Sequence, residues 1–508
     1  MQPLYLALLA SAILSASARM PGMRFRVTKT GIDKANEILA SEANKRLETL
    51  QFPEVTFASI QTSQVHVDNF EPFHFTYALE PLHRFRWIAN GGAIAVSGNW
   101  RFTEIPLGIE LTTAGSFSAR ADRVHLSIVA ELGIETETGL PTAEVVDCSA
   151  EVAGFGLDID GGVVVWFAKK FKQQISDYVK ERIEAGGCAE IRKYANGDLQ
   201  RKLRQLPTAI ELGRDLVLDY RLTERPLVSA EDWVELAIVG EVSMKNDTPA
   251  RSLRATEVVR SGESTRMLYA WLTEYTLNTF FYHLHRRGLV GFTFNEHTLP
   301  VTASFMRTTC DIVCVGKLIP GLSKRYAQYS YTELRVSSRR APVVHFRNGE
   351  ALLDLNLYLD ILAREGRLRR LLLRAQIRTV ADLHVNVTSR SSDDAAAAPT
   401  ALSAHGRASL RGGIHVGWVK TPIDEMGGSK GVATLQRLLD VAGPYVEQET
   451  NKALSKGLPI PLPQAIQVSN VDVKLLQNTV EIGADVVTVH LPAEAVEHLL
   501  NPIQSVDP

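Results

Sequence analysis

Residues 31 to 50 read GIDKANEILASEANKRLETL. Ile32, Ala35, Ile38, Leu39, Ala43, Leu47 and Leu50 fall at the three-and-four spacing of an amphipathic helix, with Lys34, Glu37, Lys45 and Glu48 turned away. Such a stripe needs cover, because burying each large aliphatic side chain stabilises by roughly 1.5–3 kcal/mol, and the cover can be protein or lipid. From about Val55 to Asp160 the period changes to two. Runs such as VTFASIQ, IAVSGNWRF and RVHLSIVAEL, bounded by Gly, Pro, Asn or Asp, predict strands of an antiparallel sheet. Helical spacing returns in GGVVVWFAKKFKQQISDYVKERIEAGGC, where Val164, Phe167, Phe171, Ile175, Tyr178, Val179 and Ile183 form one stripe and Gly186 and Gly187 predict its end.

The same order recurs downstream. RMLYAWLTEYTLNTFFYHLHRRG predicts a second opening helix, followed by strands around Leu299 to Phe305, in YTELRVSS and in LLDLNLYLDI. A closing helix, ATLQRLLDVAGPYVEQETNKALSKG, precedes a last strand pair, AIQVSNVDVKLL and TVEIGADVVTV. Two halves of similar plan imply duplication of one unit. VSMKNDTPARSLRATEV between them has linker composition, which gives an N-terminal domain over 19–236, a linker over 237–258 and a C-terminal domain over 259–508. SRSSDDAAAAPTALSAHG predicts a mobile loop over 389–406.

With 508 residues, 45% of them hydrophobic, and a net charge of −2, the chain has the balance of a multidomain globular protein and no basic footprint for nucleic acid. LYLALLASAIL followed by SASARM, with Ala16 and Ala18 at a small-x-small site, predicts a signal peptide over 1–18 and a secreted mature chain. No later stretch has the length and apolarity of a membrane span. Export permits disulfides. Cys148 and Cys188, 40 positions apart, are expected to be bonded, whereas Cys310 and Cys314 could bond only across a turn and are left open. Asn246 in NDT and Asn386 in NVT are candidate glycosylation sites.

Catalysis finds no foothold. H-E-x-x-H, C-x-x-C and Walker patterns are missing, and no cofactor or metal is expected. His283 and His285 point apart on a helix, and His74 reads as an ordinary strand residue. AREGRLRRLLLRAQIR is different: it sets Arg364, Arg367, Arg369, Arg370, Arg374 and Arg378 against Glu365. Strand alternation would put Arg370, Arg374 and Arg378 on one face, a candidate site for anionic headgroups, glycans or a cell surface.

The residues PGMRFRVTKTGIDKANEI, the cysteine pair, DYRLTERPLVSAEDWVELAIVGEV, RMLYAWLTEYTLNT and KGLPIPLPQAIQVSNVDVKLLQNTVEIGADVV together resemble the family of bactericidal/permeability-increasing, lipopolysaccharide-binding and plasma lipid transfer proteins. The resemblance covers nearly the whole mature chain. It implies an α+β, boomerang-shaped protein with two similar antiparallel barrel domains, each packed with two long helices and joined by a central sheet. It also implies phospholipid or another acyl lipid in an apolar slot of each domain, with roles in lipid transfer or innate defence. The stripes then supply lipid contacts: Ile32, Ile38, Leu39, Val164, Phe167, Phe171 and Ile175 in the first half, and Leu272, Tyr275, Phe280, Leu435, Leu438 and Leu439 in the second. One departure matters. Endotoxin-binding members carry a basic cluster at the N-terminal tip, and the matching VSGNWRFTEIPLG has Arg101 facing Glu104, with His83, Arg84 and Arg86 expected nearby. Endotoxin binding through that tip is therefore expected to be weak, and the alternative is a secreted protein that meets anionic surfaces through the arginine-rich segment.

Overall fold

A computed structural model of the chain describes residues 20–489 apart from 50–54, 58–59, 105–110, 162–171, 214, 246–252, 298–302, 312–313, 320, 327–329, 390–401, 422–427, 456–457 and 461–465. The described chain opens with β1 (Met23–Val27) and α1 (Lys29–Glu48), then β2 (Val55–Phe57), β3 (Ile60–Glu80), β4 (Arg84–Glu104), β5 (Leu111–Ile134) and β6 (Pro141–Asp160), and then α2 (Lys172–Tyr194). Short strands follow: β7 (Ala209–Gly213), β8 (Leu216–Asp219), β9 (Leu227–Ser229), β10 (Trp233–Ile238) and β11 (Val242–Met244). The second half runs β12 (Leu268–Thr273), α3 (Glu274–Arg286), β13 (Gly291–Phe294), β14 (Tyr331–Ser338), β15 (Val343–Arg347), β16 (Glu350–Glu365), β17 (Leu368–Ser389) and β18 (Leu402–Lys420). It closes with α4 (Gly428–Leu454), β19 (Leu458–Ile460), β20 (Ile466–Leu476) and β21 (Thr479–Val489). No described helix is long and apolar enough to cross a membrane.

The fold is mostly β. One sheet has the order β2-β3-β4-β5-β6, and the second half builds β13-β14-β16-β17-β18-β19 with β15 added on β16. Both orders have two ends, so among the described residues these are open, curled sheets and not the closed barrels expected. The halves meet in a third sheet, β20-β21-β12-β1-β10-β9, where β1 and β12 lie antiparallel at the centre with Phe25 opposite Ala270. This order is a palindrome. Each central strand leads into a long helix and is flanked by a strand that brings in a buried glutamate, Glu235 opposite Arg26 and Glu481 opposite Trp271. The duplication seen in the hydrophobic pattern is thus built into the join.

Several expectations change here. Leu268–Thr273, expected as the start of a helix, is a strand with alternating burial, because β1 and β21 both pair with it and the helix begins at Glu274. Gly186 and Gly187 do not stop α2. Neither takes a left-handed backbone, and the cost of about 1 kcal/mol for each glycine is set against the disulfide and side-chain bonds that fix the helix to β6. The linker expected over 237–258 begins as core: Ile238, Val242 and Met244 are buried with Met23, Leu216 and Leu218. The loop expected over 389–406 starts and finishes as strand, with Ser389 opposite Leu402 and Asn386 opposite His405. In the strand expected over Leu299 to Phe305, residues 303–305 form a turn and 299–302 lie outside the described residues.

Candidate functional site

Four asparagines show how the helices are held. A strand at a sheet edge has unpaired backbone N–H and C=O groups that must find partners. Along β3, the Asn44 Nδ2 donates to the Phe73 carbonyl at 3.0 Å, while the Phe73 N–H donates to Asn44 Oδ1 at 2.9 Å. Asn36 of the same helix donates to the Phe75 carbonyl and accepts from the Trp87 indole. The two-way bond recurs between Asn278 of α3 and Val344 of β15, at 3.2 and 2.7 Å, and between Asn451 of α4 and Ala408 of β18, at 3.0 and 2.7 Å. A carboxamide presents a donor and an acceptor side by side, as a neighbouring strand would. Helix α2 is bound to β6 by other means, the Cys148–Cys188 disulfide with Cα atoms 5.7 Å apart and the Val152 N–H donating to Glu184 at 2.7 Å.

In the N-terminal half, α1 therefore runs along β3 and α2 along β6, the two sides of the sheet, with β4 and β5 between them. The cross-strand row Tyr77–Trp87–Ile128–Cys148 marks the helix-bearing face, since its last member bonds to α2. Farther along, that face continues as Phe70–Ile94–Ala121–Phe155 and Val67–Val96–Ala119–Leu157. The inward residues of β4 are odd-numbered before Gly91 and even-numbered after Gly92. Both glycines have left-handed backbones, with φ of 70° and 69°, and their double kink reverses the alternation. Ile94, Val96, Ala119, Ala121 and Phe155 are only half-buried.

The predicted lipid contacts scatter around this frame. Ile32 is buried, Ile38 half-buried and Leu39 37% exposed. Val164, Phe167 and Phe171 lie outside the described residues, and Ile175 is on α2. Leu272, Tyr275 and Phe280 gather at the central join: Leu272 and Phe280 pack on the buried cluster around Met23, and the Tyr275 hydroxyl donates to Glu241. Leu435 and Leu439 belong to the large C-terminal core with Met306, Val315, Leu322, Ile361 and Leu373, while Leu438 is on α4. Cys310 and Cys314 are bonded across a turn, their Cα atoms 6.0 Å apart, beside Met306 and Val315 of that core. Asn246 and the signal peptide over 1–18 fall outside the described residues.

The arginine-rich segment corrects another expectation. It forms the end of β16, a turn and the start of β17, but a bulge leaves residue 372 without a partner between Leu371, opposite Leu362, and Leu373, opposite Ile361. Arg374 and Arg378 sit opposite Asp360 and Asn356 and share a face; Arg370 sits opposite Ala363 and does not. Arg374 is also engaged, with a two-pronged bond to Asp360 at 2.6 and 2.7 Å that raises its pKa. Arg369 pairs with Glu333 and Arg364 with Glu296. Burial alone would raise the Glu333 carboxyl, but bonds from Arg369 and Arg335 hold it below the ordinary value.

At the N-terminal tip Arg101 is exposed, whereas Arg84 and Arg86 lie near the other end of β4, roughly 50 Å away along the strand. They are not near it, and they pair with Glu131 and Glu80. His83 is bonded to the Pro226 carbonyl at that same end.

A family model described as the LBP/BPI/CETP family, C-terminal domain, matches residues 211–488. The chain belongs to the LBP/BPI/CETP family. Human lipopolysaccharide-binding protein is 23% identical over 500 residues, covering 95% of this chain and 96% of the relative. The bactericidal permeability-increasing protein of Sebastes schlegelii is 20% identical over 495 residues, covering 95% and 98%. A crystal structure of lipopolysaccharide binding protein matches with a TM-score of 0.52 at 20% identity, over 93% of this chain and 100% of that one, which establishes the shared fold. The human relative is by its name a binding protein. The sequence reading missed the helix asparagines, although Asn36 and Asn44, eight positions apart beside the apolar stripe of α1, were the available signal.

Proposed function

We propose that this chain is a secreted lipid-binding protein that holds phospholipid-like acyl chains along the inner face of β4 and β5, between α1 and α2. The observation that carries the reading is that these helices are fastened to opposite sides of the sheet, while apolar rows between them, such as Ile94–Ala121–Phe155, stay half-buried. Long apolar surface of that kind gains by covering itself with acyl chains. Relatives named for binding lipopolysaccharide, itself an acylated molecule, support the same ligand class. The reading places the principal site in the N-terminal half, because Leu435 and Leu439 already belong to a continuous protein core. The lipid is expected to be held without several phosphate-binding cations at the tip, where Arg101 is the exposed arginine.

Native mass spectrometry and lipid extraction of the protein secreted from cells test this. Co-purifying acyl lipid is expected in the wild type. Ala121→Trp, which fills the groove from a half-buried position, should abolish uptake of a fluorescent phospholipid while leaving the circular dichroism spectrum unchanged. Wild-type protein without lipid, or full uptake by the variant, overturns the assignment.

A further inference from the structure

The hairpin joining β16 to β17 ends in an exposed turn. Residues 365–371 are exposed without interruption, around a turn whose Gly366 has a φ of 57°. Leu368 is 61% exposed and Leu371 44%, which is unusual for large aliphatic side chains standing side by side with charges. The bulge at residue 372 is the cause for Leu371. Unbroken alternation from the fully buried Leu373 would turn Leu371 into the core, and the extra residue turns it outward.

The charges divide in an informative way. Arg364, Arg369 and Arg374 are each neutralised by a carboxylate, Glu296, Glu333 and Asp360 respectively. Arg367 and Arg370, which flank Leu368 and Leu371, have no ion pair among the described residues, and Glu365 is the one acid in the exposed run. Two outward leucines, each next to an uncommitted arginine in an exposed hairpin end, form an amphipathic wedge. Its chemistry complements a surface with anionic groups at the level of the guanidinium groups and hydrocarbon just beneath them.

We propose that this hairpin end docks the protein on anionic lipid bilayers, with Leu368 and Leu371 entering the acyl boundary and Arg367 and Arg370 meeting lipid phosphates. A soluble polyanion would satisfy the arginines and leave the leucines in water. A bilayer satisfies both. The contact is separate from the groove between α1 and α2, so either can fail without the other.

Co-sedimentation of the full chain with phosphatidylcholine vesicles, with and without phosphatidylglycerol, tests the proposal. The wild type should bind the anionic vesicles at least tenfold more tightly than the neutral ones, and less tightly as salt is raised. Leu368→Ser with Leu371→Ser should weaken anionic-vesicle binding about tenfold or more, and Arg367→Gln with Arg370→Gln should remove most of the salt dependence. Both variants alter exposed positions, so fluorescent phospholipid uptake should match the wild type. A nitrobenzoxadiazole label on Leu368→Cys should shift to the blue on anionic vesicles. Wild-type vesicle binding by the leucine variant, an unshifted label, or equal leucine-independent binding to heparin would overturn the wedge.

Discussion

Replacing Glu235 by glutamine tests how the two halves are held at their join. The Glu235 side chain on β10 is 1% exposed and accepts bonds from Arg24 at 2.9 Å, from Arg26 at 3.0 and 2.7 Å, and from Arg260 at 2.6 Å. Arg24 and Arg26 belong to β1, and Arg260 lies just before β12, so one carboxylate connects segments more than 200 residues apart. Removing one partner from a buried ion pair costs about 3–5 kcal/mol. Here the lower end applies. The arginines keep some solvent contact, and Arg26 also rests on the Trp233 ring at 4.0 Å, so they are only partly stranded when the charge is lost.

A loss of about 3 kcal/mol, divided by a urea slope of about 2 kcal/mol/M, moves the midpoint down by about 1.5 M. Tryptophan fluorescence follows the transition, since two of the six tryptophans, Trp233 and Trp271, lie against these arginines. The pH dependence gives an independent check. Burial alone would raise the Glu235 carboxyl, but the Arg26 hydrogen bond and the charges of Arg260, Arg26 and Arg24 outweigh it and hold the carboxyl below its ordinary 4.5. A carboxyl depressed in the folded state contributes fully above the unfolded value, and that contribution is lost as pH falls through the folded value. The gap between wild type and Glu235→Gln should therefore be constant near pH 7 and shrink below about pH 4.5. A midpoint shift under about 0.3 M, or a gap that persists unchanged to pH 3, would refute the reasoning.

Asn44→Ala should cost about 1–3 kcal/mol, because the Phe73 N–H and carbonyl lose their partner, and amide exchange at Phe73 should quicken more than at Phe75. Aspartate at the same position can replace the acceptor but not the donor, so Asn44→Asp should recover part of the protection. Cys148→Ser with Cys188→Ser opens a loop of 40 residues and should cost about 4 kcal/mol in the chain-entropy treatment, measured by urea titration against the oxidised protein. Enzymatic deamidation of Asn386 by peptide N-glycosidase, followed by peptide mass spectrometry, reports whether the sequon on β17 is used; an occupied site should show a one-dalton increase.

Much of the architecture was legible because it rests on local periodicity. The stripe of α1, the alternating runs from Val55 to Asp160, the strand pair at the C-terminal end and the shared plan of the halves each follow from spacing within one segment. The pairing of Cys148 with Cys188 could be expected from the cysteine inventory. Tertiary structure decided whatever depended on a neighbour distant in sequence. LYAWLT satisfies helix and strand patterns alike, and becomes β12 because β1 and β21 offer it backbone partners on both sides. Arg370 leaves the face of Arg374 because one extra residue in β17 reverses the alternation, and two adjacent left-handed glycines do the same in β4. Which arginines remain uncommitted depends on where Glu296, Glu333 and Asp360 arrive. Helix α1 lies against the edge of β3 as much as against its apolar face, held by asparagines whose purpose appears only once the strand is beside them.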